Sequence, residues 1–190
     1  LFAGAIIARS LGVYSMGIWI ILLMIPSYAE PLGRLKTDVA SVHILGKGRY
    51  RLGEVSFTSM VICLITVGLL IGAFLWQQER LYASFLAEVS SMNQLVYLML
   101  IFVPIKFLVL NFQYLLLSQE DLKGYNNISF LIELAPMVLG GGLVLTTDWG
   151  VSSLVVSTLL GGSAALAYGI IRVQKIAPMV PTLDISLIKE

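Results

Sequence analysis

A single lysine lies in the middle of an apolar stretch that otherwise carries no charge. Lys106 is the only ionisable residue with a full charge at pH 7 in 95–117, and Pro104 precedes it by two positions. A charge at membrane depth costs about 2.5–3.5 kcal/mol on insertion scales, so it needs a wet cavity or a partner. Lys106 is therefore either a cation that faces an anionic substrate or transport pathway, or a buried lysine paired with an acid such as Asp38 or Glu133. Asn111 and Gln113 follow at a similar depth.

A second group of charges lies in the preceding apolar region. Glu30, Arg34 and Asp38 are spaced four residues apart, which stacks them on one helical face, whereas Lys36 points away from that face. The ladder is either a self-neutralised contact between helices or the lining of a hydrophilic cavity. The residues that we predict to face a substrate pathway share intramembrane position and polarity; they are Arg34, Lys36, Asp38, Lys106, Asn111 and Gln113.

No pattern of catalytic or metal-binding residues accompanies these charges. His43 and Cys63 are the only histidine and cysteine, so a zinc site of the usual type and an intrachain disulfide are both excluded. Glu133 is expected close to a helix start near the membrane interface, and Asp148 in a turn or at a helix N-cap. We therefore predict no catalytic residues, no metal and no cofactor, and a protein that is not an enzyme.

The composition points to a bilayer as the solvent of this chain. Of its 190 residues, 58% are hydrophobic and 12% charged, and the mean hydropathy is +0.91. A soluble domain carries about 25% charged residues. There is no basic block that would hold nucleic acid, so nucleic acid is not an expected partner.

Hydropathy predicts an all-α bundle of about six transmembrane helices, since a crossing helix needs about 20 apolar residues. The second region, 14–46, is expected to be one long helix that is kinked or broken near Pro26 and Pro31. An amphipathic interfacial helix is expected within 77–94, and a tail or linker at 176–190. The helical lobe is 1–175, and its predicted spans are 1–8 (the end of a truncated helix), 14–46, 57–76, 95–117, 128–147 and 151–171.

Lysine and arginine are unequally shared between the two sides of this bundle. Seven lie in the 47–51 and 118–127 connections and after 171, whereas Arg9 and Arg80 are the only two on the opposite side. Cytoplasmic loops carry the excess of basic residues in multi-pass proteins. We therefore predict that loops 47–56 and 118–127 and the C-terminal tail are cytoplasmic.

The region between the first two predicted spans contains a recognisable motif. Its residues are Ala8-Arg9-Ser10-Leu11-Gly12-Val13-Tyr14-Ser15-Met16-Gly17. With Arg9, Gly12 and Gly17, it resembles the A-R-x-L-G-x-x-x-x-G signature of polysaccharide transporters, the lipid-linked oligosaccharide flippases that include O-antigen flippases. The family often has proline at the position of Val13 and an aromatic residue at that of Met16. Gly33, the short basic loop and the LLLSQEDLKGYN segment continue the likeness.

The resemblance implies a passage between two six-helix lobes, of which this chain matches the N-terminal one and lacks the C-terminal one. It further implies that a polyprenyl-pyrophosphate-linked oligosaccharide is moved across the inner membrane by alternating access during polysaccharide biosynthesis, where lipopolysaccharide is one product class. Arginine or lysine would hold the pyrophosphate. The alternatives are a multidrug or peptidoglycan-precursor exporter of the same superfamily, a membrane-embedded enzyme, or an assembly subunit.

Overall fold

The computed structural model describes residues 2–34, 37–46, 51–77 and 93–178, with side chains given for 7–31, 40–46, 51–77 and 93–178. All regular structure in these ranges is helical, which confirms the predicted fold class. The amphipathic helix predicted within 77–94 and the tail after 178 lie outside the described residues. The helices are α1 (Phe2–Arg34), α2 (Thr37–Gly46), α3 (Leu52–Trp76), α4 (Asn93–Ser118), α5 (Leu122–Thr146) and α6 (Val151–Ile176).

Five of these helices are long and apolar enough to cross a membrane, as expected for a multi-pass membrane protein. They are α1 over Ile7–Pro31, α3, α4, α5 and α6. The ten residues of α2 rise only about 15 Å, which is half the thickness of the hydrocarbon core.

The central helix of the bundle is α4, which packs against each of the other five described helices. Its buried side chains include Phe107 and Phe112, and it has the largest buried share of the five candidate spans. The helices α1, α3 and α5 each expose more large apolar side chains than α4 does, as the lipid solvent requires.

Two described helices cover most of the region 14–46: α1 ends at Arg34, three residues after Pro31, and α2 begins at Thr37. The backbone dihedral angles remain helical at Pro26 and Pro31, and the one non-helical residue of α1 is Gly12, with φ 76° and ψ 166°. A positive φ is easily reached by glycine, because it has no Cβ. Gly12 therefore breaks α1 inside the signature motif, where the sequence predicts a loop.

The polar connection between α4 and α5 is much shorter than the predicted loop 118–127. Asp121 already caps α5, because its Oδ1 accepts a hydrogen bond from the backbone N–H of Gly124 at 3.1 Å. Satisfying an otherwise unpaired amide at a helix start stabilises the helix by about 1 kcal/mol. Because α5 starts at Leu122, Glu133 lies several turns inside the helix rather than near its start.

The connection between α5 and α6 is the tight turn that the sequence predicts, with Trp149 exposed. Asp148 lies in this turn, which is the first of the two positions that the sequence predicts for it, and the N-cap of α6 is Gly150, with φ 54°. This positive φ favours glycine over aspartate at the cap.

Small residues let α6 approach its neighbours closely, as the Gly161–Gly162 pair predicts. A Cβ added at Gly161 would lie 2.6 Å from Cγ of Pro136 and 2.8 Å from the carbonyl oxygen of Leu131, both in α5. A Cβ at Gly162 would lie 2.6 Å from the ring of Phe102 in α4. Close backbone approach of this kind holds helices together in lipid, where burial of apolar surface supplies little.

Candidate functional site

A cavity of about 400 Å³ opens between α1, α4, α5 and α6. One stripe of each helix lines it, and the spacing of three and four residues within the stripes is that of a single helical face. The lining residues are Ile7, Met16, Trp19, Leu23, Pro26, Ser27 and Glu30 of α1; Phe102, Lys106, Leu110 and Gln113 of α4; Ile132, Glu133, Pro136 and Met137 of α5; and Leu154, Ser157 and Thr158 of α6.

An ion pair crosses the cavity between α4 and α1. Nζ of Lys106 lies 2.8 Å from Oε2 of Glu30, and the two side chains are 22% and 27% exposed. Lys106 therefore has both features that the sequence offers as alternatives: it lines a cavity, and it is paired with an acid. The acid in this contact is Glu30, the first member of the predicted ladder, whereas the sequence analysis named Asp38 and Glu133 as examples.

A second carboxylate reaches the cavity from an irregular turn of α5. Glu133 lies in a π-helical segment, Phe130–Leu134, after which the backbone N–H of Ala135 donates to the carbonyl oxygen five residues back, that of Phe130. Pro136 follows and has no N–H to continue the ordinary hydrogen-bond pattern. A π turn changes which side chains share a face, and such turns are frequent at functional sites. Here it brings both Ile132 and Glu133 to the cavity wall.

Amide and hydroxyl groups add neutral polarity to the cavity. Gln113 is buried, and its Nε2 donates to Oγ of Ser129 at 2.5 Å. The hydroxyls of Ser157 and Thr158 both donate to the carbonyl oxygen of Leu154, at 2.9 and 2.8 Å. Each hydroxyl oxygen keeps acceptor capacity after donating. Ser157 and Thr158 were not among the predicted site residues. The sequence signal that could have indicated them is the run of hydroxyl side chains within the apolar region 151–171.

Asn111 lies on a different face of α4 from Lys106, in the contact with α3. Its Nδ2 donates to Oγ of Ser59 at 3.0 Å and lies 3.8 Å from Sγ of Cys63, and all three residues are buried. A hydrogen bond between transmembrane helices stabilises their association by about 0.6 kcal/mol on average. Asn111 therefore holds α3 against α4, away from the cavity lining.

Three of the predicted pathway residues, Arg34, Lys36 and Asp38, have side chains outside the described part of the structure. Within the signature motif, Arg9 is exposed and Gly17 is partly buried, while Gly12 provides the break in α1. That break lies between Ile7 and Met16, which both line the cavity.

The described lining carries one basic and two acidic side chains: Lys106, Glu30 and Glu133. Their charges suit recognition of an ionic group inside an otherwise apolar pocket. Within the described ranges, no three His, Cys, Asp or Glu residues are grouped as metal ligands would be. No protein-family model, characterised protein or solved structure matches this chain.

Proposed function

We propose that this chain forms part of a membrane transporter, and that its cavity receives the head group of a polyprenyl-pyrophosphate-linked oligosaccharide. The observation that carries the proposal is the position of Lys106, a lysine midway along the central helix that lines a cavity of about 400 Å³. Lysine holds phosphate groups as a point charge with three N–H donors. The resemblance of the region around Arg9, Gly12 and Gly17 to polysaccharide transporters supports the same substrate class.

The composition of the cavity wall supports an amphipathic substrate. Polar groups come from Lys106, Gln113, Glu133 and the two hydroxyls of α6. The remainder is apolar and aromatic and includes Trp19 and Phe102. A lipid-linked sugar needs both environments, because its pyrophosphate is ionic while its polyprenyl chain is apolar.

A second candidate function is the export of organic cations, as in a multidrug exporter. The specific observation in its favour is that two carboxylates, of Glu30 and Glu133, line the cavity together with one lysine. An aromatic side chain such as Trp19 also attracts cations through its π face. The two functions therefore differ in the sign of the charge that the cavity prefers.

The experiment that separates them uses Trp19 as a reporter. With Trp76→Phe and Trp149→Phe, Trp19 is the only tryptophan left. Binding to the purified chain in detergent is followed by its fluorescence for three amphiphiles: farnesyl pyrophosphate, farnesol and tetraphenylphosphonium. The proposal expects farnesyl pyrophosphate to bind at least about tenfold more tightly than uncharged farnesol, equivalent to about 1.4 kcal/mol.

Two lysine variants complete the design. Lys106→Gln should remove the preference for the pyrophosphate, whereas the matched control Lys123→Gln, on an exposed turn of α5, should retain it. Binding of tetraphenylphosphonium together with no binding of farnesyl pyrophosphate would reject the flippase and favour the cation exporter.

A further inference from the structure

Three features that weaken a helix follow one another in the middle of α5. The π segment, Phe130–Leu134, is followed closely by Pro136, and the glycine run Gly140–Gly142 comes one turn later. Sharp bends in helices occur almost always at prolines, at glycines or at π turns. Residues of this stretch also line the cavity. The middle of α5 is therefore the natural place for this wall of the cavity to bend.

The backbone carbonyl of Leu131 has lost the N–H donors that a helix normally offers it. The N–H of Ala135, which an α-helix would direct to Leu131, donates instead to the carbonyl oxygen of Phe130. A π turn would pair Leu131 with residue 136, but Pro136 has no N–H. Gly161 of α6 lies against this carbonyl, since a Cβ there would be 2.8 Å from its oxygen. A hydrogen bond that would normally resist bending is therefore missing at this point of α5.

The first half of α5 is tied to α6 by polar side chains. Nε of Arg172 donates to Oδ2 of Asp121 at 2.7 Å, and Nδ2 of Asn127 donates to the hydroxyl oxygen of Tyr168 at 2.9 Å. These contacts fix the position of the helix before the π segment, because each joins residues on two different helices.

The second half, Ala135–Thr146, is attached more weakly. Within the described ranges it makes no side-chain hydrogen bond to another helix. It lies against α6 at Gly140, where a Cβ would be 2.7 Å from Oγ of Ser157, and against α1 at Gly141, where a Cβ would be 3.7 Å from the side chain of Ile7. Ser157 and Ile7 both line the cavity. An outward movement of this half would therefore open the cavity wall between α1 and α6.

We infer that the second half of α5 is a movable wall, hinged at residues 131–136, through which the cavity opens sideways to the bilayer. Met137 of this half lines the cavity, while the neighbouring Val138 and Leu139 are exposed apolar side chains. The twelve residues of Ala135–Thr146 rise about 18 Å, so a bend of about 20° moves the far end by about 6 Å. The inference goes beyond the proposed function, because it concerns access to the cavity and not the charge of its ligand.

The first test leaves the hinge unchanged and measures distances between pairs of spin labels on exposed residues. The chain is studied in phospholipid nanodiscs with Cys63→Ala. Leu145→Cys with Leu160→Cys joins the second half of α5 to α6, and the matched pair Asn126→Cys with Ile171→Cys joins the first half to α6. We expect the first pair to show a second population that is about 5 Å longer, and the matched pair to show one narrow population. Distributions of equal width would overturn the inference.

The second test changes the hinge itself. Pro136→Val keeps a branched side chain against Gly161 and supplies the missing N–H. It should reduce the longer population of the labelled pair at 145 and 160 by about fivefold, which is the effect of one net hydrogen bond. The matched control is Pro104→Val in α4, which should leave that population unchanged. A longer population that persists in Pro136→Val, or that falls equally in both variants, would overturn the hinge.

Unwinding of the glycine run is the competing explanation for a longer distance. It predicts that Gly142→Ala reduces the longer population by about fivefold, because alanine favours the helix over glycine, and that Pro136→Val does not. That result would also overturn the inference. Neither test contains a ligand, so a failure of the hinge is distinguishable from a failure of the cavity to bind farnesyl pyrophosphate.

Discussion

The ammonium nitrogen of Lys106 lies 2.8 Å from a carboxylate oxygen of Glu30, so α4 and α1 are joined by an ion pair across the wall of the cavity. Each side chain retains about a quarter of its exposure. The pair is therefore partly buried and partly open to the cavity. Removing one partner should affect both folding and binding.

We expect Lys106→Gln to lower the amount of folded protein in the membrane, because the carboxylate of Glu30 loses its Lys106 counter-charge. The loss should be smaller than the about 3–5 kcal/mol of a fully buried broken pair, since both groups reach the cavity. Adding Glu30→Gln should restore the protein level. Lys106→Arg keeps the positive charge with a changed geometry, so this variant should retain most of the wild-type protein level. Quantitative immunoblotting of membranes measures the abundance of the wild type and of these three variants.

The double variant also separates stability from binding. Lys106→Gln with Glu30→Gln should reach near wild-type abundance but bind farnesyl pyrophosphate no better than farnesol. If Asp38→Asn or Glu133→Gln rescues the level instead of Glu30→Gln, the pairing described here is not the one that stabilises the protein.

Close packing of α6 against α5 gives a second prediction. A Cβ at Gly161 would meet the backbone carbonyl of Leu131, which cannot rotate away as a side chain could. Gly161→Ala should therefore destabilise the fold by about 1–3 kcal/mol. The matched control is Gly142→Ala in α5, where a Cβ meets nothing within 4 Å. Thermal denaturation in detergent, followed by circular dichroism, measures both.

The control variant should be neutral or stabilising by up to about 1 kcal/mol, because alanine favours the helix over glycine. A melting temperature for Gly161→Ala at or above that of Gly142→Ala would show that α5 and α6 are farther apart than described.

The third prediction concerns the pH dependence of Asp121. Nε and Nη2 of Arg172 donate to its two carboxylate oxygens at 2.7 and 3.2 Å. These bonds, together with the N–H of Gly124, lower the pKa of Asp121 from its ordinary value. Because the folded-state pKa is the lower one, the stabilisation is fully present above the ordinary carboxyl pKa of about 3.9 and is lost as the pH falls through the folded-state value.

Asp121→Asn should therefore destabilise the protein by about 1 kcal/mol at pH 7, since it loses the ion pair with Arg172 while asparagine can still cap the helix. Its melting temperature should then approach that of the wild type below about pH 4. The control is Glu120→Gln at the adjacent exposed acid, which should follow the wild-type profile. A constant difference between Asp121→Asn and wild type from pH 7 to pH 3 would contradict the assigned ion pair.

The fourth prediction concerns topology. Gln119 and Asp148 are exposed residues at opposite ends of α5, whose 25 residues rise about 37 Å. In a Cys63→Ala background, Gln119→Cys should react with a membrane-impermeant thiol reagent only after lysis, because the basic residues predict a cytoplasmic location. Asp148→Cys should react in intact cells. Reaction of both positions in intact cells would refute the predicted topology.

The sequence by itself determined that this chain is a bundle of long apolar helices. Length and hydropathy suffice for this, because lipid demands that each span satisfy its own backbone hydrogen bonds within a continuous helix. The clearest example is the predicted span 57–76, which the structure extends to Leu52–Trp76. The structure differs from the predicted loop 118–127, because the polar run begins a helix at Leu122, where Asp121 can cap it.

Only the tertiary structure decided which intramembrane groups meet. The sequence marks Lys106 as needing a partner, but α4 is apolar on every side, so its pattern does not tell which face points to α1 and which to α3. Helix rotation and close approach at Gly161 and Gly162 settle this, and these depend on contacts between residues far apart in the chain. Packing therefore placed Lys106 against Glu30 in the cavity and Asn111 against Ser59 in the α3 contact.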